Sequence, residues 1–329
     1  MEQLSSMLVS VVVCTHNRGS LLSEGVPRVL EQQLPAGPYE VLIVDNASTD
    51  DTPERAGNLI KQHPERMRHV REGRLGLSSA RNAGIRHANG QIIAFIDDDA
   101  VPEQGWLASL VSAFDDPVVA CAGGPVIPVF QGELPAWFSP QLRTYISIFD
   151  KGSEPVPLTY NEYPRGVNLA FRKTVFEAVG LFSPSFGRKG RSLMSYEEIE
   201  LCYRIERAGW TILYVPGASV RHTVHADRLS RDWFLRRFYW QGKSEAYFDL
   251  IHRGTRFIAQ KLLEHASFSH ARELMTSQAS NSEGFYLLCR RQTWLGYLAG
   301  VIQGLLTAQP LRAHGQARAF SRISPTRVV

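Results

Sequence analysis

The sequence predicts an α/β fold: a mixed, mostly parallel sheet flanked by helices, with a helical C-terminal extension. Three observations predict it. Short β-branched runs alternate with helical patterns through the first half, the rhythm of parallel strands joined by crossover helices. Three of those runs end abruptly in polar or acidic residues, as strands do where their carboxyl ends form a ligand-binding edge. Beyond about His225 the strand pattern gives way to aromatic-rich helical stretches.

The first strand is Leu8–Val13, a run suited to burial on both faces of a sheet. A helical pattern follows from Ser20 to Gln33 and breaks at Pro35. Val41–Val44 is a second buried strand that runs into Asp45. Thr52-Pro53-Glu54 then opens a helix, with a hydroxyl as cap and proline in the first turn. Ser78–Asn89 is a further helix, which Gly90 is expected to stop from the left-handed capping position. Gln91–Ile96 is a strand leading straight into Asp97-Asp98-Asp99. Prolines between Pro125 and Pro164 loosen the pattern. A helix at Tyr196–Ala208, stopped by Gly209, and a strand at Ile212–Val215 then restore it. A boundary near residue 225 divides the chain into 1–225 and a basic helical region, 226–329.

Composition narrows the function classes. The 329 residues are 44% hydrophobic and 21% charged, which excludes a disordered or fibrous chain. No apolar run reaches the ~18–20 residues of a membrane-spanning helix. Met1–Met7 is polar and lacks the pattern of a cleaved leader, so a cytoplasmic protein is expected. Cys14, Cys121, Cys202 and Cys289 form no CxxC pair and read as small buried hydrophobes in a reducing compartment. Charge is unevenly spread. Residues 226–329 carry 15 Lys/Arg against 7 Asp/Glu, a net +8 that leaves residues 1–225 at −4.

The polar strand ends are where chemistry concentrates. Three adjacent carboxylates repel one another, and a folded chain tolerates them best around a hard cation. In extended backbone Asp97 and Asp99 project the same way and can meet one ion. The competing reading is a solvated acidic turn before the helix near Pro102. Asp45 stands where a carboxylate can accept from a base or a ribose hydroxyl, while Asp50 or Asp51 caps the following helix. Thr15-His16-Asn17-Arg18 offers a hydroxyl, an amide and a guanidinium suited to phosphate, though such a run is also an ordinary surface turn. Arg74, Arg81 and Asn82 lie on and before the third helix, where solvation is the alternative. Glu197, Glu198 and Glu200 open a helix. Glutamates there stabilise the positive dipole end, and Glu200–Arg204 is an i,i+4 pair; alternatively Glu197 or Glu198 serves as a general base. His222 is either structural or a metal ligand.

In their order, VSVVVCTHNR, VLIVDNASTDDT, LSSARNAGIRHANGQIIAFIDDDAVP, GVNLAFRK, YEEIELCYRIERAGW and VRH resemble the family 2 inverting glycosyltransferases of GT-A fold, over residues 8–225. The resemblance implies a Rossmann-like nucleotide-binding sheet whose DXD motif coordinates a divalent metal, Mn2+ or Mg2+. It places Thr15, Asn17, Arg18, Asp45, Asn46 and Arg74 around the nucleoside. Arg81 and Asn82 fall near the diphosphate or sugar, and Asp97 and Asp98 at ribose or sugar. Asp99 takes the metal, with Asp97 beside it and His222 completing the metal or phosphate site. Gly166 and Asn168 border the acceptor and donor sugars. The family's base is usually the aspartate of a Glu-Asp pair. Here that position is Glu198, one methylene longer, with Glu197 as the alternative.

The expected reaction is transfer of a sugar from a nucleoside-diphosphate donor, UDP-linked or a dTDP-linked deoxysugar, to a hydroxyl of a glycan or lipid-linked acceptor. In the tail, Arg231, Arg236, Arg237, Arg253, Arg256, Arg290 and Arg291 interleave with Trp233, Phe234, Phe238, Tyr239, Trp240, Trp294 and Tyr297. Such helices can lie on anionic lipid at the inner face of the cell membrane, or form a subdomain core or homodimer contact. No nucleic-acid motif accompanies the basic charge. A nucleotidyltransferase would need a glycine- and lysine-rich loop after the first strand, which Thr15–Arg18 is not. A non-catalytic nucleotide- or glycan-binding module of the same fold is the remaining alternative.

Overall fold

The computed structural model describes residues 8–266 and 281–307. Its first strand, β1 (Val9–Thr15), is the axis of the fold. It pairs in parallel with β2 (Tyr39–Asn46) on one side and β4 (Ile92–Asp97) on the other, and β2 pairs in parallel with β3 (Met67–Glu72). Val9, Val11, Val12, Val41, Leu42, Ile43 and Ile93 have no exposed surface. Full burial of each such side chain contributes about 1.5–3 kcal/mol, which is why these runs carry no alternation of polar residues.

Helices α1 (Gly19–Leu30), α2 (Thr52–Gln62) and α3 (Leu77–His87) connect these strands. Past β4 come the short strand β5 (Ala100–Pro102), helix α4 (Trp106–Ser112) and strands β6 (Val119–Gly123) and β7 (Val126–Phe130). Strands β8 (Val156–Leu158) and β9 (Asn168–Arg172) and helices α5 (Val175–Val179) and α6 (Glu197–Arg207) lead to β10 (Thr211–Tyr214) and β11 (Val220–Val224). The eight-stranded sheet has the order β3-β2-β1-β4-β9-β6-β10-β8, and β5-β11-β7 form a small second sheet. Strand β9 runs antiparallel between β4 and β6, so the sheet is mixed, as expected.

Local details depart from the sequence reading in instructive ways. Helix α3 ends at His87, and Ala88 turns the chain into extended backbone. Gly90 is therefore no helix cap. A Cβ there would lie 2.4 Å from the Ser10 backbone nitrogen, so close passage over β1 is what demands glycine. Gly209 does adopt a left-handed φ of 89° after α6. Asp50 accepts from the Thr52 backbone nitrogen at 3.0 Å as expected, but the Thr52 hydroxyl accepts from the Arg18 nitrogen at 3.1 Å rather than capping α2.

The C-terminal region is helical: α7 (Arg231–His252), α8 (Gly254–Ala266) and α9 (Ser282–Leu306). Helices α7 and α9 touch backbone to backbone; a Cβ on Gly242 would sit 1.8 Å from the Thr293 carbonyl oxygen. Phe234, Phe238, Phe285 and Cys289 share one core with Leu142, Ile146 and Val224, so these helices clamp onto the first 225 residues through a common interior. The interleaved aromatic and basic residues largely serve this packing. Phe234, Phe238 and Tyr297 are buried, and the Arg231 guanidinium lies over the rings of Trp137 and Phe285. The rings of Phe234, Phe238 and Tyr297 form a core rather than face lipid, while Trp233, Tyr239, Trp240 and Trp294 are half-buried. Among the described residues no helix is long and apolar enough to cross a membrane.

Candidate active site

Strand register assembles the site. Thr15 is opposite Asp45, and Cys14 opposite Asp97, so the tips of β1, β2 and β4 share one edge. Asn168 at the start of β9 pairs with Ile96, which brings Gly166 and Val167 to that edge. His222 pairs with Ala100 across β11 and β5, and the Thr223 nitrogen donates to the Asp99 carbonyl at 2.9 Å. A cavity of about 320 Å³ opens there, lined among others by Thr15, Arg18, Asn46, Arg81, Asp97, Asp98, Asp99, Gly166, Glu197, Glu198 and His222.

At one end lie Asp98 and Asp99, both buried and both held by Arg18 at 3.1 Å. Thr15 donates its hydroxyl to Asp98 Oδ2 at 2.8 Å, and Arg228 meets Asp99 Oδ2 at 3.1 Å. Burial alone would raise both pKa values. For Asp98 it prevails, with the Asp99 charge adding to it; for Asp99, His222, Arg228 and Arg18 overcome it and hold the carboxyl well below the usual range. Asp99 Oδ1 faces His222 Nε2 at 3.3 Å without hydrogen-bonding geometry, and Oδ1 and His222 Nδ1 are buried with no hydrogen-bond partner. Two ligands of one octahedral cation stand about 3 Å apart for bonds of about 2.1 Å. The Asp99–His222 separation fits two ligands of one divalent ion, but among the described residues no three His, Cys, Asp or Glu side chains are placed to hold a metal, so the expected Asp97 does not join the pair.

At the other end Glu197 and Glu198 open α6. Tyr196 precedes them in left-handed backbone, φ 76°, its ring buried; this turn points the helix N-terminus and both glutamates at the cavity. Arg81, fully enclosed, spans the floor: Nη1 donates to Glu197 Oε1 at 3.0 Å, and Nη2 donates to the Gly166 carbonyl at 2.9 Å and lies 3.5 Å from Asp97 Oδ1. A Cβ on Gly166 would stand 2.6 Å from Arg81 Nη2 and would displace the guanidinium from this position. Burial, reinforced by the Glu198 charge and opposed by Arg81, pushes the Glu197 pKa up to about 7. Glu197 Oε2 and Glu198 Oε2 are buried and have no hydrogen-bond partner.

With this geometry in view, residues 10–180 match the family model described as Glycosyl transferase family 2. A glucosyl-dolichyl phosphate glucuronosyltransferase of Haloferax volcanii is 31% identical over 251 residues, covering 75% of this chain and 79% of that protein. The chain belongs to glycosyl transferase family 2. A pre-mycofactocin glycosyltransferase of Mycobacterium tuberculosis is 28% identical over 62% of this chain and 41% of its own length. The fold is GT-A, shared with a mannosyltransferase from Pyrobaculum calidifontis in complex with GDP-Man and Mn2+ (TM-score 0.57, 22% identity, 92% of this chain and 88% of that one). It is shared also with GalNAc-T7 bound to UDP, GalNAc and Mn2+ (TM-score 0.53, 19% identity, 94% and 59%).

Within this family 2 glycosyltransferase the sequence-predicted residues divide by what their side chains do. Thr15, Arg18, Arg81, Asp97, Asp98, Asp99, Glu197, Glu198 and His222 share the cavity. Asn46 borders it, but its amide braces the loop ahead of α3, donating to the Arg74 carbonyl at 2.9 Å and accepting from the Gly76 nitrogen at 2.7 Å. Asp45 lies just outside the wall, with Oδ1 accepting from Ser48 and Oδ2 buried without a partner. Asn17, at φ 52°, is spent on the Thr49 nitrogen. Asn82 exchanges two hydrogen bonds with the Phe182 backbone, and Asn168 locks Trp106 to the Pro125 and Ala218 carbonyls. These amides hold the frame, away from the cavity. Arg74 is 78% exposed and is not brought to the site. Sequence reasoning missed Arg188 and Arg228 and read Arg237 as part of helices that lie on lipid, form a subdomain core or make a dimer contact, yet all three line the cavity. Only the spacing of Arg228, six residues after His222, hinted at its place.

Proposed function

We propose that this enzyme transfers a sugar, with inversion, from a nucleoside-diphosphate sugar to a hydroxyl of a glycan or lipid-linked acceptor, with UDP as the leaving nucleotide. The observation that carries the reading is the single cavity in which cation-matched carboxylates face a pair of glutamates with open oxygens. Asp99 and His222 would hold a divalent ion, and the ion, when bound, would neutralise charge developing on the leaving diphosphate. Arg18 and Arg228 supply fixed donors to the same phosphates. Glu198 accepts the proton of the attacking hydroxyl, because Arg81 already occupies Glu197 Oε1. One displacement then needs one base and no enzyme nucleophile.

A second reading has an observation of its own: the Glu197 pKa near 7 suits a general base, which would leave Glu198 to orient the acceptor. A lipid-linked acceptor is supported by the name of the Haloferax relative, a transferase acting on a glucosyl-dolichyl phosphate. Peripheral contact with anionic lipid belongs to the same proposal. Its support is the net +8 of residues 226–329 and the exposed Ile302, Leu305 and Leu306 near the end of α9. The test is a thermal-shift panel of UDP-, GDP- and dTDP-sugars with and without Mn2+. A donor that binds the native state raises Tm, and it should do so only with the metal present. Failure of every nucleotide to shift Tm sinks the proposal.

A further inference from the structure

Five arginines and five carboxylates line the cavity, and two of the arginines stand outside its ion pairs. Arg18 and Arg228 are matched to Asp98 and Asp99, and Arg81 to Glu197 and Asp97. Arg188 and Arg237 line the same walls and, among the described residues, form no salt bridge. Arg237 Nη1 donates to Gln241 Oε1 at 2.9 Å, and its guanidinium lies over the Tyr145 ring at 5.7 Å. That arrangement fixes the planar fork and leaves it without a carboxylate at salt-bridge distance. The Arg188 side chain is exposed, with Arg228 and Arg237 nearby. Like charges gathered in a cavity are costly unless an anion joins them.

Position separates the two ends. The carboxylates acting on Arg237 are Glu198 and Glu197, whereas Arg228 pairs with Asp99. Arg188 stands between, acted on by Arg228, Arg237, Asp99 and Asp97. A diphosphate at the Asp99 end meets Arg18, Arg228 and a bound cation. Arg237 is left beside the glutamates, where the attacking hydroxyl has to sit.

We propose that the substrate portion bound at the Glu197–Glu198 end carries an oxyanion, recognised by Arg237 with Arg188 alongside. This rests on the transferase reading above and narrows its substrate class. The oxyanion is either a phosphate on the acceptor or a carboxylate on a uronic sugar.

The experiment uses the full chain saturated with Mn2+ and whichever of UDP, GDP or dTDP binds, titrated calorimetrically with octyl phosphate, octyl β-glucoside and glucuronate. Wild type should bind octyl phosphate or glucuronate at least tenfold more tightly than the neutral glucoside. Preference for octyl phosphate assigns the charge to the acceptor, and preference for glucuronate assigns it to a sugar. Arg237→Gln should weaken that binding at least tenfold and Arg237→Lys less, with nucleotide affinity unchanged within twofold in both. Equal binding of charged and neutral probes, or an Arg237→Gln protein that binds the anion as wild type does, overturns the inference. In that case Arg237 merely steadies the Glu198 carboxylate. If no nucleoside diphosphate binds wild type, the transferase reading falls, and this inference with it.

Discussion

The two acidic ends of the cavity use the same functional group in opposite ways. Around Asp98 and Asp99 two guanidiniums, those of Arg18 and Arg228, and the His222 ring converge within 3.3 Å, and Asp99 is held ionised despite its burial. Around Glu197 and Glu198 the one guanidinium in a salt bridge, that of Arg81, engages a single oxygen of Glu197, and one oxygen of each glutamate has no hydrogen-bond partner. A carboxylate meant to hold a cation must stay charged at all working pH values; one meant to take a proton must have a pKa within reach of neutrality. The difference lies in the number of cations facing each carboxyl, since burial is common to both.

The contrast can be broken or sharpened by experiment. The largest effect is expected from Glu198→Gln, which should leave donor binding intact and slow transfer by about 10²–10⁴-fold. If Glu197→Gln produces that loss and Glu198→Gln does not, the roles of the two glutamates are exchanged. Asp99→Ala should abolish the Mn2+-dependent part of nucleotide binding, measured as the difference in affinity with and without the ion. An unchanged difference would mean the cation is held elsewhere. Arg81→Met removes one partner of a buried ion pair and should destabilise the fold by about 3–5 kcal/mol in chemical denaturation. A loss below about 1 kcal/mol would show that Arg81 is not what holds α6 to the sheet.

The smallest effect is in pH. A carboxyl whose folded pKa is raised binds its proton more tightly when folded, so stability is lost as pH climbs from the unfolded value, about 4.5, through about 7. Denaturation midpoints should fall over that window, and Glu197→Gln should flatten the slope whatever it does to the absolute midpoint.

Much of the frame was legible because it is built from uninterrupted apolar runs. The strands at Val9, Tyr39, Ile92 and Thr211 and helix α6 fall within a few residues of their expected positions. Asp97–Asp99, Thr15 and Arg18 were legible for a related reason, as polar residues directly after such runs lie at a strand's carboxyl end. The roles of Asn82 and Asn168 were not legible. An amide near a site reads the same whether it faces a ligand or satisfies backbone carbonyls 50 to 100 residues away, and here it does the latter. Arg237 was hidden because helix α7 reaches the cavity through its packing on residues such as Leu142 and Ile146, and Arg228 because it lies in a short 3-10 turn ahead of that helix.

The sequence by itself determined the alternation of strands and helices, the polar tips of the strands and the family to which they belong, because hydrophobic period and turn chemistry are local. Tertiary structure alone decided which cations meet which carboxylates. Asp99 receives His222 through a strand pairing more than 120 residues away along the chain, and Arg81 reaches Glu197 across 116 residues. Electrostatic environment depends on distances of a few ångströms in space, and no spacing along the chain encodes them.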